Sequence, residues 1–108
     1  MTQLITKVSL SGPRRRLLEL LQRLHFGRIE GLVVRAGQSV FEPPPRVTRE
    51  HKFGGDNGPH PDLNSPHAAL KAQQVELLRT LDRIGDGIIN GLEVKHGVPF
   101  RMLLGEAP

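Results

Sequence analysis

Leucines recur at helical spacing at Leu17, Leu18, Leu21 and Leu24, a stripe that predicts an amphipathic helix opened by Pro13 and stopped at Gly27. A second stripe runs through Ala69, Leu70, Ala72, Gln73, Leu77, Leu78, Leu81 and Ile84. Ser65 before Pro66 suits its N-cap, and Gly85 or Gly87 its end. Each helix offers one apolar face that needs a sheet or another helix to cover it. After each helix comes the same pattern, Ile-x-Gly-Leu-x-Val, at residues 29–34 and 89–94. Strict alternation would put Ile29 and Leu32 on opposite faces, so a bulge at Glu30 and Gly31, and again at Asn90 and Gly91, is expected to turn both inward. Ala36-Gly37 and His96-Gly97 then read as hairpin turns, with return strands at 38–41 and 98–101. Residues 46–53 would extend the first sheet, with Val47, Arg49, His51 and Phe53 on one side, and residues 2–10 alternate well enough to form a strand.

The two patterns coincide when the chain is shifted by 60 residues. Leu17, Leu18, Leu21, Arg23, Gly27, Ile29, Gly31, Leu32, Val34 and Gly37 fall on Leu77, Leu78, Leu81, Arg83, Gly87, Ile89, Gly91, Leu92, Val94 and Gly97. These are ten identities in 21 ungapped positions, where chance would give about one or two, so the expectation is an internal duplication of a helix-plus-hairpin unit. Residues 1–108 form a single domain with two repeats, 13–53 and 66–104, joined by a loop at 54–65 that is rich in Pro and Gly. The expected fold is α+β, one antiparallel sheet with two helices on one face.

The segment 18–53, above all Leu21-x-x-Leu24-x-Phe26-Gly27-x-Ile29 with Val33-Val34-x-x-Gly37-x-x-Val40-x-Glu42, resembles the YezD-like family of very small bacterial proteins. In that family one helix is followed by an aromatic-Gly step, a strand, an Asp-Gly turn and a return strand. Here the turn has Ala36 in place of Asp, the stretch between the two glycines is one residue longer, and the second copy has Asp86 in place of Phe26. The resemblance implies a small cytoplasmic accessory or binding protein, and no catalytic residue to carry over.

Composition narrows the function further. No run approaches the roughly 18 apolar residues of a membrane span, the first dozen residues lack a secretory pattern, and with no cysteine a thiolate or disulfide chemistry is excluded. A cytoplasmic location with no membrane partner is expected. The histidines His25, His51, His60, His67 and His96 lack metal-ligand spacing, so no cofactor or metal is expected and His60 and His67 read as solvated loop residues. No serine sits in a nucleophile motif, and Asp82 with Asp86, one turn apart, reads as a solvated helix face. An enzyme is disfavoured.

Charge points to a partner. The net charge is +4, fifteen Lys and Arg against eleven Asp and Glu, and the whole surplus lies in residues 1–42. Arg14, Arg15 and Arg16 fall in the first turn of the first helix, the end whose dipole disfavours cations, so three guanidinium groups there suggest a phosphate or carboxylate site. Arg23 and Arg28 would support it. Stacking of single-stranded RNA on the sheet is disfavoured because Phe26, Phe41, Phe53 and Phe100 are all wanted by a small core. The function expected is a non-enzymatic module contacting a polyanion, such as nucleic acid, through Arg14, Arg15, Arg16, Arg23 and Arg28. The alternative is a protein-interaction or assembly module acting through edge-strand or helix-face pairing, and open sheet edges in so small a chain make a homodimer the expected state.

Overall fold

In the computed structural model, which describes residues 5–106, both leucine stripes are helical. Helix α1 spans Gly12–Leu24 and helix α2 Ala72–Ile84. The Ser11 hydroxyl accepts from the Arg14 N–H to cap α1, and the Gln74 side chain accepts from the Lys71 N–H at 2.8 Å to start α2. His25 and Gly85, at φ 64° and 66°, close the two helices in the left-handed region. α2 therefore begins six residues later than Ser65 suggests. Residues 69 and 70 instead pair with the N-terminal segment, Ala69 bridging Thr6 and the Leu70 N–H donating to the Ile5 carbonyl at 2.9 Å.

Strands β1 (Gly27–Glu30), β2 (Leu32–Arg35), β3 (Gln38–Val40), β4 (Arg46–Arg49), β5 (Gly87–Lys95) and β6 (Val98–Leu104) form one sheet. β1 and β2 lie in a single register along one edge of β5, with Gly27 opposite Val94, Ile29 opposite Leu92, Leu32 opposite Ile89 and Val34 opposite Gly87. On their far side β4 pairs β1 and β3 pairs β2, while β6 pairs the other edge of β5. The six segments thus make four antiparallel lines, and the line formed by β3 and β4 is interrupted at residues 41–45 by the proline run. Proline cannot donate to a ladder, which is why the interruption sits at an edge.

Both helices pack on one face. The core is Leu17, Leu18, Leu21 and Leu24 of α1, Leu77, Leu78 and Leu81 of α2, and Ile29, Leu32, Val34, Ile89, Leu92 and Val94 of the sheet, each worth about 1.5–3 kcal/mol of burial. Ile29 and Leu32, and likewise Ile89 and Leu92, all point inward. The two halves achieve this differently. Gly31 breaks the strand at φ +71°, whereas β5 stays continuous and its irregularity falls opposite β6, between Ile89 and Gly91.

Three further expectations give way. Of residues 2–10, positions 2–4 lie outside the described residues, and Lys7–Ser9 form a 3₁₀ turn rather than a strand. Pairing beyond β1 stops at Arg49, and Phe53 is 96% exposed. Phe100 is 59% exposed, so the core is aliphatic and two of the four phenylalanines are left to solvent. The Pro/Gly-rich connector carries a 3₁₀ turn at Pro61–Asn64 and is pinned to the helical layer: the His60 N–H donates to the Gln22 carbonyl at 2.8 Å.

Candidate functional site

Successive residues on a helix point about 100° apart, and the three arginines of the first turn diverge accordingly. Arg14 turns into the protein, its side chain only 16% exposed. Its guanidinium donates to the Gly37 carbonyl at 3.0 Å and to the Asp82 carboxylate, tying the start of α1 to the first hairpin turn and to α2. Asp86 sits beside it, accepting from the Ala36 N–H at 2.9 Å. Both aspartates are exposed, as a solvated face requires, yet each also bonds the first half of the chain, Asp82 through Arg14 and Asp86 at the hairpin turn. Arg15 pairs with Glu19 at 2.8 Å, one turn along. Arg16 lies over the Phe41 ring, 4.2 Å from its centroid.

Two of the five arginines do come together. Arg16, Leu20 and Arg23, at spacings of four and three, share one face of α1 and line a groove of ≈ 230 Å³ closed by Phe41, Glu42, Pro44, Pro45 and Val47. The proline run forms its outer wall. At its end the Arg49 guanidinium donates to the Arg23 carbonyl at 3.4 Å, and Arg46 and Arg49 are both exposed on β4. This edge therefore carries Arg16, Arg23, Arg46 and Arg49. Sequence reasoning missed Arg46 and Arg49 because residues 43–67 balance to zero charge; the signal for them was their place just after the proline run, where the strand had to resume beside β1.

Arg28 lies apart, on the open face of the sheet, paired with Glu30 at 3.2 Å. The larger cleft there, ≈ 600 Å³, is lined by Arg28, Thr48, Glu50, Glu93, Lys95, Phe100 and Arg101, among others. There Arg101 pairs with Glu93 at 2.7 Å, and Lys95 stacks over Phe100 at 4.0 Å.

Of the two loop histidines, His67 is exposed as expected, whereas His60 is not a solvated side chain. His60 packs edge-on to His25 at 5.2 Å, and Phe26 contacts both His25 and His96. The His60 Nδ1 accepts from the Asp62 N–H at 3.1 Å. Burial holds the His60 imidazole below its ordinary range, Asp62 opposing the shift and Lys71, His25 and His96 adding to it. Among the described residues no group of three or more His, Asp or Glu side chains is arranged to hold a metal ion, and no helix is long and apolar enough to cross a membrane. No family model, curated protein or solved structure matches the chain.

Proposed function

We propose that the protein is a small non-enzymatic module that binds a polyanion, with a nucleic-acid backbone as the natural form, along the edge built by α1, the proline run and β4. The observation that carries this reading is the convergence of Arg16 and Arg23 on one groove, with Arg49 at its end. The Arg16 guanidinium stacked on Phe41 keeps its N–H edge free to donate, the geometry suited to phosphate oxygens. The apolar groove floor lowers the local dielectric beneath these cations. Glu42 at the rim would disfavour anions entering from the proline side.

The test is a salt titration with a labelled mixed-sequence oligonucleotide as probe. Replacing Arg16, Arg23 and Arg49 with Gln is expected to remove most of the affinity and to reduce the slope of log affinity against log salt by about two to three units, near 0.7–0.9 for each phosphate no longer neutralised. Arg15→Gln, whose partner is Glu19, should leave the slope unchanged. Wild-type protein that fails to bind at low salt, or a triple variant that binds as well as wild type, overturns the reading in favour of a protein-interaction module.

A further inference from the structure

The two edges of the sheet are built to different rules. At one, the return line is broken between β3 and β4 by Pro43, Pro44 and Pro45 and ends in Arg46 and Arg49, the combination of missing donors and charge that keeps strands from adding. At the other, β6 runs as Val-Pro-Phe-Arg-Met-Leu-Leu, with Pro99 and a register shift against β5 at Phe100 confined to its first half. Its outer side pairs with no strand among the described residues, and Phe100, Leu103 and Leu104 are 59%, 54% and 44% exposed. Beyond that point the edge is apolar and regular, a template for another strand.

We propose that β6 pairs antiparallel with β6 of a second copy, about a twofold axis through Leu103. Residues directly opposite in an antiparallel pair share a face of the sheet, so a symmetric pairing centres on one residue facing itself. Centring on Arg101 sets two guanidinium groups against each other and brings Pro99 into the ladder. Centring on Met102 still includes Pro99. Centring on Leu103 confines the pairing to residues 100–106 and leaves Pro99 outside. Leu103 opposes Gly91, and a Cβ on that glycine would meet the leucine side chain at 3.5 Å, so Leu103 lies over the open face, where it meets its symmetry mate. Met102, opposite the buried Leu92 and packed against the core, meets Leu104 of the second copy on the helix side.

Charge fits the same register. Glu106 of the second copy falls opposite Phe100, beside the Lys95 ammonium that sits 4.0 Å above that ring. The second copy is favoured over continued growth by the fold itself. Adding β6 to the edge carrying β4 would be a head-to-tail contact that propagates, and the prolines and arginines of that edge exclude it, leaving the twofold contact that closes on itself. The helices of both copies then lie on one face of a sheet of doubled width.

The chain has no cysteine, which makes the register directly testable. Oxidised Leu103→Cys should run as a covalent dimer, since opposed Cβ atoms lie close to disulfide distance, while Arg101→Cys should stay uncrosslinked. Light scattering at micromolar to tens-of-micromolar concentration should give about twice the 12.0 kDa chain mass. Leu103→Lys should return the monomer with an unchanged circular dichroism spectrum, and Val47→Lys on the opposite edge should leave the dimer intact. Lys95→Glu and Glu106→Lys should each weaken it, and the two together should restore it. A wild-type mass of one chain across that range, a polydisperse series of larger species, or a dimer in which Leu103→Cys fails to crosslink overturns the proposal.

Discussion

Lys7 brings an ammonium group into the interior, 2% exposed, and the cost of doing so is offset only because all three of its hydrogens find acceptors. They reach the Gln22 side chain at 2.7 Å and the carbonyls of Asp62 and Leu63 at 3.0 and 3.2 Å. Burial pushes its pKa down, while Glu19 and Asp62 pull against that shift and Arg15 adds to it. One side chain thereby fastens the N-terminal segment, α1 and the connector together. Lys7→Met should cost about 2–3 kcal/mol, because two buried carbonyls and an amide lose their donor; a urea midpoint equal to that of wild type would show that the carbonyls find other partners. Nothing local announces this role. Lys7 lies in a stretch whose alternation reads as a strand, and its acceptors are 15 and 55 residues away, so the inward turn of the charge depends on contacts that no short window contains. Arg14 is illegible for the same reason. Helix-dipole physics alone favours removing a cation from the first turn, but its bonds to Gly37 and Asp82 make it part of the framework.

Elements were more legible than residues because glycines and apolar spacing act locally. The hairpin turns fall where expected, Ala36 and Gly37 at φ 48° and 72°, His96 and Gly97 at 55° and 72°, a left-handed pair that matches the twist of the strands. The bounds of the elements also keep the offset of 60: Gly12–Leu24 against Ala72–Ile84, and a strand opening at Gly27 and at Gly87. The groove was legible only in part, since a proline run predicts a break but not that the chain returns to the same line as β4. That break decides the fate of the two bulge glycines. Opposite Gly31 the neighbouring line is missing, residues 41–45 having left the sheet, so the strand itself bends through a positive φ. Opposite Gly91 the neighbour β6 is present, and the irregularity is taken up in the ladder by leaving one β5 residue, Asn90, without a partner. Gly31→Ala should therefore cost about 1–2 kcal/mol through left-handed strain, whereas Gly91→Ala, whose Cβ would make ordinary contact with Leu103 at 3.5 Å, should be close to neutral. Equal losses in thermal denaturation of the two variants would refute this distinction.

Across the whole molecule the connector acts as a third layer of contacts rather than as a tether. It leaves the sheet where the Glu50 N–H donates to the Phe26 carbonyl at 2.9 Å, and it crosses the C-terminal end of α1 through the bond from the His60 N–H to Gln22. The His25 ring pairs with the Gly58 carbonyl at 3.1 Å. The second hairpin turn meets it there, Gly97 packing so closely that a Cβ would lie 2.9 Å from His60, while the Gly97 N–H donates to the His25 carbonyl at 2.9 Å. The mirror contact, the Gly37 N–H to the Gly85 carbonyl at 2.8 Å, joins the other helix end to the other turn without any connector over it. His60 thus sits where both halves and the connector meet, facing His25 of the α1 cap, His96 of the turn, and Asp62 and Lys71 of its own segment, which pair at 3.2 Å. Because burial above all holds its pKa below the ordinary value of 6.5, the unfolded chain takes up a proton before the folded one does. The stability contributed by neutral His60 is therefore complete above about pH 6.5 and declines as the pH falls from there toward the lower folded-state pKa. Asn at this position keeps an acceptor for the Asp62 N–H but cannot be charged. His60→Asn should accordingly lose less stability than wild type between pH 7.5 and 5.5 in urea titrations, with carboxylate contributions common to both cancelling in the difference. Parallel pH profiles for the two proteins would mean that the junction tolerates an imidazolium, and that the three histidines meet there without coupling the fold to pH.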